Sequence, residues 1–134
     1  MSGAIVVAGA IYSGDGRLLL AQRAYPPELA GLWELPGGKV EPGETLDQAL
    51  GRELCEELDV DVRVGARLDV SVRPKPGLEL IAIRARIVSG APDATEHLDL
   101  RWVDADLLNA MDARGEIVPN DRAWIPELLA DLQG

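Results

Sequence analysis

The chain has little of what usually cross-links, stacks or anchors a protein. Its 134 residues include one cysteine and no phenylalanine, and three tryptophans and two tyrosines bring the aromatic share to only 4%. A lone thiol closes no internal disulfide, and a core without phenylalanine has to be built largely from aliphatic side chains. Basic residues are scarce too: 13 Lys and Arg stand against 23 Asp and Glu, a formal charge of −10 with a pI near 4.4. That balance argues against a nucleic-acid polymer as partner, because its phosphate backbone calls for clustered Lys and Arg. Long hydrophobic runs are also missing. The apolar stretch 4–11 is too short to cross a bilayer and lacks the basic flank of a signal peptide, so a cytoplasmic protein without membrane contact is expected.

What is present reads as one globular domain over residues 1–134, with 47% hydrophobic and 27% charged residues and room to bury roughly two-thirds of its unfolded surface. Residues 4–12 and 17–23 are apolar, β-branched runs around Ser13-Gly14-Asp15-Gly16, the pattern of a β-hairpin buried on both faces. Residues 60–73 and 78–88 flank Pro74-Lys75-Pro76-Gly77 and are expected to pair antiparallel, and 98–103 reads as a further strand. A helix over 45–58 would bury Leu50, Leu54 and Leu58; a short one over 104–111 opens on an acidic cap, and a last one spans 120–132 with its start blurred by Pro126. The fold class is therefore α/β, with a mixed, partly antiparallel sheet flanked by helices on both sides.

The acids are not spread evenly. Residues 38–60 carry seven of them against Lys39 and Arg52. Glu53, Glu56 and Glu57 lie three and four positions apart within about 100° of helical arc and are expected to converge on one point. Like charges so placed repel, and Arg52 alone does not neutralise three of them, so a cation is expected between them. Carboxylate oxygens suit Mg²⁺ or Mn²⁺, which share their coordination with substrate phosphates. Leu35-Pro36-Gly37-Gly38 places a stiffened glycine loop just upstream; without it, three glutamates would read as an ordinary solvated face. Cys55, about 200° round the helix from Glu53, is expected to pack away from the carboxylates.

Gly38, Glu44, Arg52-Glu53-Leu54, Glu56-Glu57 and Val60 resemble, in identity and spacing, the box of the Nudix family. Asp59 departs from the pattern, standing where the box has glycine, at the residue expected to leave the helix in a left-handed conformation. The resemblance implies a Nudix α/β/α sandwich. It also implies hydrolysis of a nucleoside diphosphate linked to a further group, the simplest case being a triphosphate split to monophosphate and pyrophosphate. In the same way it implies Glu53, Glu56, Glu57 and the Gly38 carbonyl as ligands of Mg²⁺ or Mn²⁺, oriented by Arg52 and Glu44.

The stretch from Gln22-Arg23 through Lys39 further resembles actinobacterial MutT-type enzymes. That likeness implies Glu96 as a loop glutamate near the metal, leaving Glu53 and Glu96 as alternatives for the acceptor of the water proton. It implies Arg23, with Asn120 or Asp121, at the substrate. A carboxylate can accept from the exocyclic amine of cytosine and an amide can donate or accept, while capping of the last helix is the alternative for both residues. Trp33 is either a base-stacking ring or a core residue, Lys39 either a phosphate contact or surface charge, and His97 beside Glu96 either a participant in turnover or an ordinary loop histidine. Expected substrates are CTP, dCTP and related pyrimidines, or 8-oxo-dGTP, in sanitisation of the nucleotide pool. Nucleotide sugars, dinucleoside polyphosphates and nucleotide binding without turnover are the alternatives. The partner is a small nucleotide, bound by a monomer or homodimer.

Overall fold

The computed structural model describes residues 3–134, and within them the first apolar run decides the layering. It forms β1 (Ala4–Ile11), whose side chains alternate between two apolar clusters. Val7 and Ile11 meet Leu50, Leu54 and Leu58 of α1 (Leu46–Leu58) on one face. Ala8 and Ala10 share the other cluster with Leu108 and Met111 of α2 (Ala105–Ala113) and with Ile125 and Leu128 of α3 (Ile125–Gln133). A strand buried on both faces thus holds helices on both sides, as the apolar run predicts.

Two sheets form the middle layer. In the first, β1 runs antiparallel to β4 (Gly37–Lys39) on one edge and parallel to β6 (Leu78–Ser89) on the other, and β5 (Asp61–Lys75) pairs antiparallel with β6. In the second, β2 (Leu18–Gln22) lies antiparallel between β3 (Trp33–Glu34) and β7 (Asp99–Val103). The hairpin expected from residues 4–23 is therefore corrected. Only a single bridge, Tyr12 to Leu18, joins the two runs, because β4 and β6 occupy both edges of β1 and divert β2 into the other sheet.

Local signals set the ends of α1. The Thr45 hydroxyl accepts from the Gln48 N–H at 3.1 Å and the Gln48 side chain accepts from the Thr45 N–H at 3.0 Å, a reciprocal cap. At the other end Asp59 takes φ 58° and ψ 43°, the left-handed exit expected there, and its N–H donates to the Cys55 carbonyl. Cys55 itself is exposed, which corrects its reading as a packing residue: the helix buries its leucine side only. The last helix is also shorter than expected. Residues Pro119–Trp124 form a 3₁₀ turn, and α3 begins at Ile125 with Pro126 in its first turn, where a missing N–H leaves no bond unmade.

Side chains then tie α3 to the sheet. The Glu127 carboxylate accepts from the N–H groups of Asp69 and Val70 on the outer edge of β5, and Trp124 Nε1 donates to the Val70 carbonyl at 2.9 Å. Asp131 accepts from Tyr12 Oη at 2.6 Å and from Arg84 Nε at 2.8 Å, joining α3 to both central strands. The 3₁₀ turn is held against the β3–β4 segment by the Leu35 N–H, which donates to Asp121, and by the Val118 N–H, which donates to the Trp33 carbonyl. No helix among the described residues is long and apolar enough to cross a membrane.

Candidate active site

The glycine pair is a packing requirement before it is a chemical one. A Cβ on Gly37 would collide with the Val7 carbonyl of the neighbouring strand, and one on Gly38 would collide with the Glu53 carboxylate. Absence of both side chains lets β4 lie flat against β1 while a charged group of α1 touches its backbone. Arg52 organises the same corner. Its Nε and one terminal nitrogen grip both Glu44 oxygens at 2.8 and 2.9 Å, and it also donates to Glu53 at 3.0 Å, Glu56 at 3.3 Å and the Lys39 carbonyl at 2.9 Å. The Arg52 bonds hold the Glu44 carboxyl down to about 2, so this pair is ionised at any working pH.

Beside this corner opens a cavity of about 500 Å³. Its wall includes Gly38, Lys39, Glu57 and Glu96, and also Arg23, Asn120 and Asp121. Glu57 faces it from α1, largely buried, with Oε2 making no hydrogen bond among the described residues. Burial pushes its carboxyl up to about 7; His97 opposes that shift while Glu53, Glu34 and Glu96 add to it. The loop carrying Glu96 is pinned by the Thr95 hydroxyl, which donates to the Glu57 carbonyl at 2.6 Å, and by the Leu98 N–H, which donates to the Gln22 carbonyl at 2.9 Å. Glu96 and Lys39 are exposed at the wall.

Asp121 departs from the capping alternative. Its Oδ2 accepts from the Leu35 N–H at 2.8 Å, 86 positions away, and α3 has no side-chain cap. Burial raises its carboxyl to about 7, with the Leu35 bond and Arg23 lowering it and Glu34 raising it. Asn120 lies exposed at the rim. Trp33 is placed elsewhere. It is 5% exposed, packed in the core with the Arg101 guanidinium 4.8 Å over its ring, so it does not present a face to the cavity.

The three box glutamates do not converge on one point as expected: among the described residues no three acidic or other ligating side chains form such a group. Arg52 draws Glu53 and Glu56 together while Glu57 turns inward, and the side chain of Glu56 remains 59% exposed. Helical arc fixes where Cβ atoms point, and the competing cation and the like charge of the neighbours settle the rest. Sequence reasoning gave no role to Glu34. Its Oε1 accepts from Arg23 at 2.9 Å and its Oε2 lies 3.2 Å from His97 Nε2, so it stands between the Asp121 and Glu57 neighbourhoods. The His97 side chain is only 7% exposed, with Nδ1 unpartnered among the described residues. The one available signal was adjacency of Glu34 to the glycine loop.

Comparison with known proteins shows the family. The model described as the NUDIX domain matches residues 3–128. The chain belongs to the Nudix family. A Mycobacterium tuberculosis protein named "Putative 8-oxo-dGTP diphosphatase 2" is 47% identical over 133 residues, covering 97% of this chain and 91% of that one. Escherichia coli CTP pyrophosphohydrolase is 44% identical over 100 residues, 73% of this chain and 74% of its own length. The solution structure of the Escherichia coli ORF135 protein matches with a TM-score of 0.72 at 36% identity, covering 99% of this chain and 90% of that one. The chain is a Nudix pyrophosphohydrolase of the MutT type, in the α/β/α sandwich of that family.

Nudix hydrolases generally need a divalent metal, and the residues here suit one. The donors are carboxylate and carbonyl oxygens, which hard cations prefer. Glu57 has an unpartnered buried oxygen, and its ionised form is disfavoured by burial and by three acidic neighbours, a cost that a cation would relieve.

Proposed function

We infer that this Nudix enzyme hydrolyses CTP, dCTP or 8-oxo-dGTP to the monophosphate and pyrophosphate, with Mg²⁺ or, in its place, Mn²⁺. The cavity's two-ended charge carries the reading. Glu57 has the carboxylates of Glu53, Glu34 and Glu96 and the imidazole of His97 around it, whereas Asp121 has Glu34 and Arg23. One end suits a cation and phosphates, the other a base. The names of the two curated relatives support the same substrates.

Glu53, Glu57 and the Gly38 carbonyl are the residues that would hold the cation, with the exposed Glu56 carboxylate as a further ligand. Bound there, the cation neutralises phosphoryl oxygens and acidifies water. Arg52 keeps Glu53 in place, and Lys39 offers its ammonium to the phosphates. Because Glu53 is engaged by Arg52 at 3.0 Å, Glu96 at the cavity wall is the carboxylate left to accept the water proton. Asp121 Oδ1 accepts from an exocyclic amine, which cytosine and 8-oxoguanine carry and uracil lacks.

The test is pyrophosphate release from CTP, dCTP, 8-oxo-dGTP and UTP with Mg²⁺, for the native protein and Asp121→Ala. At least one of the first three should exceed UTP in kcat/KM by about tenfold or more, and Asp121→Ala should erase most of that margin. A preference for UTP, or equal loss on CTP and UTP, would overturn the assignment of the base end.

A further inference from the structure

The aromatic residues divide sharply by placement. Trp33 and Trp124 are 5% and 1% exposed, Trp102 packs against the α1 cluster, and Tyr12 is bonded to Asp131 and packed against the other cluster. Tyr25 alone stands in solvent, 64% exposed, and it lines the cavity. An exposed ring on a loose loop would mean little, but this loop is held. The Tyr25 carbonyl accepts from Arg23 Nε at 2.9 Å, and Arg23 is itself held by Glu34 at 2.9 Å. The Pro26 carbonyl accepts from the N–H groups of Leu29 and Ala30, and the Gly31 N–H donates to the Arg23 carbonyl. The backbone is fixed and the ring is free.

We propose that Tyr25 is a substrate-binding residue whose ring stacks on the nucleobase addressed by Asp121, the part played by a tryptophan being ruled out by the burial of Trp33. The assignment rests on the nucleotide reading of this cavity. Tyr25 and Asp121 line the same cavity with Arg23 and Glu34 between their neighbourhoods, so a base whose amine reaches Asp121 lies in the cavity that carries the only free aromatic face among the described residues. Stacking is indifferent to base identity because every base has a π-face, whereas the Asp121 carboxylate selects for an amine. Asp121 therefore discriminates among bases, and Tyr25 raises affinity for all of them.

The experiment compares native protein, Tyr25→Phe and Tyr25→Ala on CTP, UTP and ribose 5-triphosphate, which has no base. Tyr25→Ala should raise KM for CTP and UTP alike by roughly tenfold with kcat nearly kept, as expected for loss of one stacked base. Tyr25→Phe should restore the native KM, all three proteins should treat ribose 5-triphosphate equally, and the melting temperature should not move because the ring is exposed. Native turnover of CTP with an unchanged KM in Tyr25→Ala, or an equal KM rise on ribose 5-triphosphate, would overturn the assignment of Tyr25 alone. Absence of native turnover on every nucleotide would overturn the reading of the cavity and this assignment together.

Discussion

Asp121 accepts from the Leu35 N–H through one carboxylate oxygen and lines the cavity, and its burial is costly for the charged form. Its carboxyl moves from 3.8 to about 7 on folding, so the folded chain holds the proton more tightly than the unfolded one. Burial of this group then costs nothing below about pH 4, where both states are protonated, and its full amount above about pH 7, where both are ionised. Glu57, raised to about 7, acts in the same direction. Stability should therefore fall as pH rises through this window. Melting temperatures measured from pH 4 to pH 8 should drop for the native protein and drop distinctly less for Asp121→Asn, which keeps an acceptor for Leu35 but has no charge to bury. Parallel curves for the two proteins would contradict the burial argument. Little of this was legible in the sequence: Asp121 lies in a polar stretch whose residue types equally suit a helix cap, and its partner is 86 positions away. Asp59, by contrast, was readable, because its left-handed conformation follows from its place at the end of α1.

At the scale of elements, the local readings of α1 and of the β5–β6 pair matched the fold, while the local hairpin reading of residues 4–23 did not. The limits of α1, its leucine stripe and the β5–β6 pair are set by caps, spacing and a proline-glycine turn lying within a few residues of one another. The partner of β2 is set by competition for the edges of β1, which no local pattern records. Attachment of α3 depends on Asp131, which accepts from both Tyr12 and Arg84. Asp131→Ala would leave the Tyr12 hydroxyl and the Arg84 guanidinium without that acceptor, at a cost of roughly 1–3 kcal/mol, visible in urea unfolding as a lower midpoint with an unchanged slope. None of the three residues lines the cavity, so kcat/KM should stay near the native value below the unfolding range. An unchanged midpoint would show that Glu127 and the apolar contacts secure α3 unaided.

For the molecule as a whole, the site is assembled from α1, the β3–β4 segment, the loop before β7, the end of β2 and the 3₁₀ turn. The contiguous part, Gly38 on β4 and the glutamates of α1, was legible because it lies within one short stretch of sequence, although the side chains of those glutamates part company. In the part assembled by tertiary contact, Arg23, His97 and Asp121 were named through the family resemblance, whereas Glu34, which bonds Arg23 and approaches His97, left no local signal beyond its place next to the glycine loop. A formal charge of −10 concentrated partly around this cavity makes a cation the natural companion of a polyanionic substrate there. The central claim is that buried Glu57 holds such a cation against the phosphates, and the most direct measurement is pyrophosphate release from CTP and 8-oxo-dGTP with Mg²⁺ by the native protein and by Glu57→Gln. The account predicts native turnover on at least one of the two and a loss of at least about a hundredfold in the variant, since metal-held charge stabilisation is worth several kcal/mol. Equal release by the two proteins, or none from the native protein, would contradict it.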